Sequence, residues 1–375
     1  MNDDASPAHD PTRRRLLGAL GAAGLAGVLP RVHAKGSRPL GVALVGLGYY
    51  SRDLLAPALQ ATKHCRLAGI VTGTPAKAAE WQQRYGIPDL NVYDYDGFER
   101  IADNPDIDVV YVVLPNHLHK PFTLRAAAAG KHVWCEKPMA MDAAEAQAMI
   151  DACRHHRVQL AIGYRMQHEP NTQAVMALAK TRPFGRPQRI RAEAGFHGFD
   201  GAQGDNWRLD PKRGGGAMYD MGVYALNAAR YTTGTEPLAV TAMQDVQRPA
   251  IFRGVDESMR FRLEFPDGIV ADCATSFGRN MNVLRAECEK GWYELSPFQA
   301  YEGVRGEASD GRRFDSVTGA TPAQQTRQMD SDALAIIQGR PPRVPGEEGL
   351  RDMRALDAIF ASARGGGKRV EIEKA

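Results

Sequence analysis

From Leu40 onward the chain alternates short apolar runs with stretches of helical spacing. Leu40–Val45 (LGVALV) is almost continuously apolar and runs into a glycine turn, which predicts a strand buried on both faces of a parallel sheet. A helix follows near 51–61, then a strand over Leu67–Val71. Pro75 opens a helix that runs to Tyr85 and closes at Gly86; proline costs nothing at the first helical position, where its missing N–H has no partner anyway. Asp108–Leu114 (DVVYVVL) is the clearest strand in the chain. Leu118–Ala129 reads as a helix ended by Gly130, His132–Glu136 as a strand, 142–156 as a helix and Val158–Ile162 as a strand. Strand–helix alternation of this kind predicts a doubly wound parallel sheet.

Beyond Gln188 the period shortens to two. Arg189–Ala194, Leu238–Ala242, Met259–Phe265, Gly268–Ser276, Val283–Glu289 and Trp292–Leu295 read as strands of a second, β-rich unit. Helices near 322–338 and 346–363 turn back toward the first unit, and Lys368–Ile372 is a short last strand.

The residues before this pattern have another character. A polar, acidic start leads to Thr12-Arg13-Arg14-Arg15-Leu16-Leu17, a weakly apolar Gly/Ala/Leu run to Leu29, and Val32-His33-Ala34. A basic segment, a short apolar segment and a small-residue exit describe an export signal. The arginine pair before Leu-Leu sharpens this to the twin-arginine route, which exports folded proteins. The run is short for a span of about 20 residues. Cleavage after Ala34 is expected, with a periplasmic destination and no membrane contact beyond the signal. Lys+Arg (47) nearly balance Asp+Glu (44), which argues against a nucleic-acid binder. The five cysteines form no C-x-x-C, so neither a disulfide scaffold nor a zinc site is expected. His117-x-His119 lacks an adjacent third ligand, and no metal is expected.

The first strand runs into Gly46-Leu47-Gly48-Tyr49-Tyr50-Ser51, a G-x-G-x-x-G loop with Ser for the third Gly. Such a loop lets backbone approach a pyrophosphate at the positive end of the next helix. Ser51 is small enough for close packing there and suits a helix N-cap. The second strand ends in Val71-Thr72-Gly73-Thr74, with Lys77 beyond and no carboxylate for a ribose 2′-hydroxyl, which favours NADP over NAD. Glu136-Lys137-Pro138 stands at a strand end, where ligands of open α/β sheets bind. A lysine there can bond a substrate hydroxyl. Farther on, a Gly-rich loop leads to a helix carrying Asp220 and Tyr224, four apart on one face. A tyrosine near a lysine can serve as a base for a reacting hydroxyl, and the aspartate can orient it; on spacing alone such a pair is more often a helix surface.

These segments, with Leu114-Pro115-Asn116-His117-Leu118-His119 and Gly163-Tyr164-Arg165, resemble the glucose–fructose oxidoreductase, inositol dehydrogenase and rhizopine-catabolism (Gfo/Idh/MocA) family from Leu40 to about Ile372. The pattern is nearest to its glucose–fructose oxidoreductase branch, since Tyr224 stands where inositol-type members place His. The resemblance implies an N-terminal Rossmann domain (35–165, after a signal at 1–34), an open-faced, mainly antiparallel or mixed sheet domain for substrate and oligomerisation (166–345), and a C-terminal helix and strand returning to the first domain (346–375). It implies Lys137, Asp220 and Tyr224 as catalytic residues, Tyr224 being the acid/base. Gly46, Leu47, Gly48, Tyr49, Thr72, Gly73 and Lys77 would hold the pyrophosphate and adenosine end. Leu114, Asn116, His119 and Glu136 would line the nicotinamide side. Arg165, Trp207 and Arg208 would reach cofactor or substrate, and Tyr301 the substrate. Two departures stand out: only Lys35–Pro39 separate the expected cleavage from the first strand, where the branch has a long arm, and Tyr49 replaces a familiar Lys.

The expected activity is NADP-dependent oxidation of an aldose at C1 to its lactone, with a second sugar reoxidising the bound NADPH. The alternatives are an aldose or inositol dehydrogenase with exchangeable NAD(P), and a non-catalytic sugar- or nucleotide-binding protein. A homodimer or homotetramer through the second sheet is expected.

Overall fold

The computed structural model describes residues 38–201, 205–317 and 322–374. The export signal expected over 1–34 lies outside them. The first unit is a six-stranded sheet in the order β3-β2-β1-β4-β5-β6, with every neighbouring pair parallel. Its strands are β1 (Leu40–Val45), β2 (Cys65–Val71), β3 (Val92–Tyr93), β4 (Val109–Val112), β5 (His132–Cys135) and β6 (Leu160–Ile162). This is the doubly wound arrangement, and its order reverses between β1 and β4, where a crevice opens at the carboxyl ends of the strands. The helices between them are α1 (Ala56–Leu59, preceded by a π-turn at Ser51–Leu55), α2 (Pro75–Tyr85), α3 (His119–Ala128) and α4 (Ala143–His155). α2 stops at Gly86 in a left-handed conformation, as its sequence predicts.

The second unit is a nine-stranded sheet, β14-β13-β12-β11-β7-β10-β9-β8-β15, mixed because β7 and β10 are parallel while the other pairs are antiparallel. Its long strands are β7 (Pro187–Gly195), β8 (Ala239–Asp245), β9 (Ser258–Glu264), β10 (Val270–Ser276), β11 (Met281–Cys288) and β12 (Gly291–Leu295). The short ones are β13 (Gly306–Ala308), β14 (Arg313–Phe314) and β15 (Val370–Glu371). Alternation sets its two faces. Met259, Phe261 and Leu263 of β9 are buried beneath helices, while Arg260 and Arg262 point outward. The outward face is a lattice of paired charges, among them Arg262–Asp272 (2.6 Å), Arg189–Asp272 (3.5 Å) and Arg285–Glu287 (2.6 Å). The covering helices are α5 (Pro170–Thr181), α6 (Val223–Thr233, continuing a π-turn at Met218–Gly222) and α8 (Gly346–Arg364).

Three features depart from the sequence reading. α5, β3, β13 and β14 are additional elements; the three strands have two or three residues each, too few for a period to register. The last strand does not return to the first domain: Val370 and Glu371 pair with Val240 and Ala239, closing the β8 edge of the second sheet. In the segment after 345, α8 packs on α4 and β6 of the first unit as well as on β8. α7 (Ala323–Ile337) does turn back to the first unit as expected, packing on α1, β2 and the π-turn before α1, so it is the 166–345 span that misplaces it. Met329 and Ala333 of α7 join Val42, Leu44, Tyr111 and Trp134 in the core on that face of the first sheet.

Candidate active site

The crevice at the β1/β4 reversal is the mouth of a cavity of about 1180 Å³ between the first sheet and the second unit. That exceeds the roughly 300–1,000 Å³ typical of small-ligand pockets. Of the site residues expected from sequence, all but His119 line it.

β1 delivers the glycine loop. Gly46 adopts φ +92°, a left-handed turn that places Gly48 before the helix that begins at Tyr49. A Cβ on Gly48 would meet nothing within 4 Å, so the loop leaves open space in front of free helix N–H groups, a fit for a pyrophosphate. Ser51 is not the N-cap. It sits fully buried inside the helix, and its hydroxyl donates back to the Gly46 carbonyl at 2.6 Å, bracing the turn. The end of β2 contributes Thr72, Gly73, Thr74 and an exposed Lys77 to the cavity wall, and no carboxylate. This is the environment of a 2′-phosphate rather than a bare ribose.

The ends of β4, β5 and β6 supply the next layer. Asn116 is buried, and its amide donates to the Gly214 carbonyl at 2.7 Å, joining the first unit to the Gly-rich loop of the second. His119 departs from expectation. Its ring is buried beside the carbonyls of Leu114 and Pro138, 2.8 Å from each, and burial brings it down to about 4. It therefore braces two cavity-lining loops from behind and does not face the cavity. The Lys137–Pro138 bond is cis.

Helix α6 and its π-turn bring the second unit's chemistry to the same point. The Lys137 ammonium donates to the Asp220 carbonyl at 2.7 Å and lies 3.6 Å from Asp220 Oδ1. Arg208 Nε donates to Asp220 Oδ2 at 2.9 Å. Burial pushes the Asp220 carboxyl up, but Arg208 and Lys137 outweigh it and hold it below the ordinary aspartate value. The Tyr224 ring lies 4.7 Å from Lys137 Nζ and 5.3 Å from the Arg165 guanidinium carbon. Arg165 also stacks on Tyr301 at 4.4 Å, while its terminal nitrogens donate to the carbonyls of Gln299 (2.6 Å) and Ala300 (3.2 Å) and to Gln324; its Nε has no hydrogen-bond partner among the described residues. It lines the cavity as a buried cation stacked on the Tyr224 and Tyr301 rings.

Sequence reasoning missed an aromatic wall. Phe196 and Phe199 follow β7, line the cavity and pack on the buried Phe277 with centroids 5.2 and 4.7 Å away. Phe199 holds φ +69°, a costly backbone for a bulky residue. Two aromatics in the Gly-flanked stretch GFHGFDG were the available signal. Tyr50, Tyr95, Met221 and Gln299 were missed as well. Among the described residues no group of three His, Cys, Asp or Glu side chains could hold a metal ion.

Residues 40–164 match the model of an oxidoreductase family with an NAD-binding Rossmann fold, and residues 172–294 match the GFO/IDH/MocA C-terminal domain. The chain is 32% identical over 326 residues to a D-xylose 1-dehydrogenase (NADP(+)) of Haloferax volcanii, covering 86% of this chain and 95% of that protein. Among solved structures it is similar to the aldose–aldose oxidoreductase of Caulobacter crescentus complexed with glycerol (TM-score 0.84, 40% identity, 89% of this chain and 100% of that one). Levoglucosan dehydrogenase bound to NADH and levoglucosan shares the fold, with TM-score 0.77 and 23% identity over 90% of this chain and all of the other.

Proposed function

The chain belongs to the GFO/IDH/MocA oxidoreductase family, and from that premise we propose that it is an NADP-dependent oxidoreductase acting on neutral sugars, oxidising an aldose at C1 to its lactone. The observation that carries this reading is the meeting of Lys137, Asp220 and Tyr224 at one end of a cavity whose other end is the Gly46–Gly48 loop.

The residues divide the work. The loop and helix N-terminus would hold the pyrophosphate, and Thr72, Thr74 and Lys77 the 2′-phosphate. When bound, the nicotinamide would accept the hydride leaving the sugar carbon. Acting as the phenolate, Tyr224 takes the hydroxyl proton, with the Lys137 and Arg165 cations beside its ring. Asp220, ionised and fixed by Arg208 and Lys137, orients the reacting hydroxyl. Arg208 is paired with Asp220, so its charge is met within the protein. Phe196, Phe199 and Tyr301 offer flat apolar faces of the kind that suit sugar C–H surfaces. The Haloferax protein is named for D-xylose and NADP(+), and the Caulobacter protein for an aldose pair; both sit within this reading.

The finer proposal is a closed cycle in the periplasm. Twin-arginine export carries the folded, NADP-loaded protein, and a second sugar reoxidises the retained NADPH. A homodimer or homotetramer forms through the outward face of the second sheet. Two measurements on the protein purified from the periplasm test the cycle: bound NADP released by denaturation, and lactone plus polyol formed from two sugars without added cofactor. Cofactor-free protein that turns over only with external NADP would leave the conventional dehydrogenase as the better reading. Tyr224→Phe is expected to lower kcat/KM by about 10²–10⁴ while NADPH still binds, as seen by fluorescence titration. Unchanged turnover would remove Tyr224 from the acid/base role.

A further inference from the structure

α7 arrives from late in the sequence and presents three buried glutamines to the back of the cavity wall. Gln324 accepts from Arg165 and donates to the Ala300 carbonyl (2.9 Å); Gln325 donates to the Tyr50 hydroxyl (3.4 Å); Gln328 donates to the Tyr111 hydroxyl (2.9 Å). The last contact continues inward. Tyr111 is fully buried, its ring packs edge-on to Trp134 with centroids 5.7 Å apart, and its hydroxyl donates to Glu136 Oε1 at 2.6 Å.

The direction of these bonds matters. A phenol has one proton to donate. Because the Gln328 amide N–H occupies an acceptor position on the Tyr111 oxygen, that proton is committed to Glu136. The Glu136 carboxylate is fixed further by the Lys137 backbone N–H, which donates to Oε2 at 3.3 Å, and by Gly163, where a Cβ would stand 2.5 Å from Oε1. Nothing larger than glycine fits beside it.

Resting on the NADP–sugar reading of the cavity, we propose that Tyr111 and Gln328 are positioning residues. They hold Glu136 as an oriented carboxylate at the base of Lys137, so that α7, remote in sequence, sets the geometry at the reacting end of the cavity. Glu136 faces Tyr50 from the helix after β1, Tyr111 from β4, Cys135 and Lys137 on its own strand end, and Arg165 after β6. Burial raises the Glu136 carboxyl above the ordinary value, and the Tyr111 hydrogen bond, Lys137 and Arg165 oppose that rise. Deleting the tyrosine hydroxyl removes one opposing contribution, so protonation must move upward.

The test compares wild type with Tyr111→Phe, Gln328→Leu and the double variant. With NADP and a turned-over aldose, the acidic limb of the kcat/KM–pH profile is expected to move up by roughly one unit in Tyr111→Phe, about what a hydrogen bond to a carboxylate supplies. Gln328→Leu should give a smaller shift in the same direction, and the double variant should match Tyr111→Phe alone. Gln328→Met serves if the leucine variant does not fold. Limbs that superimpose on wild type would overturn the proposal, and so would additive shifts, since Gln328 would then act by another path. An infrared titration of the cofactor-free protein gives an independent readout. The protonated-carboxyl band lost in Glu136→Gln should show the same upward midpoint shift, and an unmoved midpoint would overturn the proposal even with changed activity. If wild type oxidised no sugar, the functional reading would fail, while this titration would still decide the role of Tyr111 and Gln328.

Discussion

Lys77 belongs to the 2′-phosphate site proposed for the cofactor. It stands exposed at the edge of the cavity, one turn into α2, beside Thr72 and Thr74 where an NAD enzyme would place a carboxylate. Lys77→Glu is expected to raise KM for NADP about tenfold or more while leaving KM for NAD unchanged or lower, measured with one sugar and both cofactors. Asp332 makes a different argument. It is buried on α7, its Oδ1 has no hydrogen-bond partner among the described residues, and burial pushes its carboxyl well above the ordinary value despite Arg340 and Arg343 nearby. Because the folded value exceeds the unfolded one, this group favours the fold at pH below the ordinary carboxylate range. That contribution is lost as pH rises through the raised value. Asp332→Asn should therefore raise stability at mildly alkaline pH, by about 1–3 kcal/mol, and change it less in acid, as read by thermal unfolding at both.

Among the elements, α6, which carries Tyr224, is anchored from behind. Arg230 of α6, buried, bonds Asp352 Oδ1 (2.5 Å) and Glu348 Oε2 (3.1 Å) of α8 and Glu236 Oε2 (2.6 Å). Breaking a buried pair leaves the other charge stranded, so Arg230→Leu should cost about 3–5 kcal/mol in denaturant unfolding. Adding Asp352→Asn should recover part of that loss. The long parallel strands and the Gly46 loop were legible because a continuous apolar run ending in glycine admits few other structures. Lys137, Asp220 and Tyr224 were legible through their motifs, although only the fold shows a π-turn at Met218–Gly222 between strand ends and helix. Gln324, Gln325 and Gln328 were not. Polarity patterns assign glutamine to solvent, and nothing in the sequence reveals that this face of α7 is buried against Tyr50, Tyr111 and Arg165. The role expected of His119 failed for the complementary reason, because a polar side chain in a site motif can serve backbone carbonyls instead of a ligand.

For the whole molecule, the surface proposed for assembly is the outward face of the second sheet. It pairs charges along its rungs, with Asp272 set between Arg189 and Arg262 and Arg285 beside Glu287 and Glu294. If two copies meet there, reversing Arg189 and Arg262 to glutamate together puts like charges across the contact. The double variant is expected to sediment as a monomer while still binding NADPH, whereas wild type sediments as a dimer or larger. An unchanged sedimentation coefficient would place assembly elsewhere.

The position of α7 sets a timetable for synthesis. All six strands of the first sheet have left the ribosome once Ile162 has emerged, yet one side of that sheet waits for Met329 and Ala333 to cover it. The second sheet waits longer, since its final edge is Val370 and Glu371. A nascent chain can thus display the glycine loop long before it owns the α7 wall behind Tyr111 and Arg165. Firm cofactor retention becomes a mark of a finished polypeptide, and a route that accepts only folded cargo would, by the same token, pass only chains translated to the end.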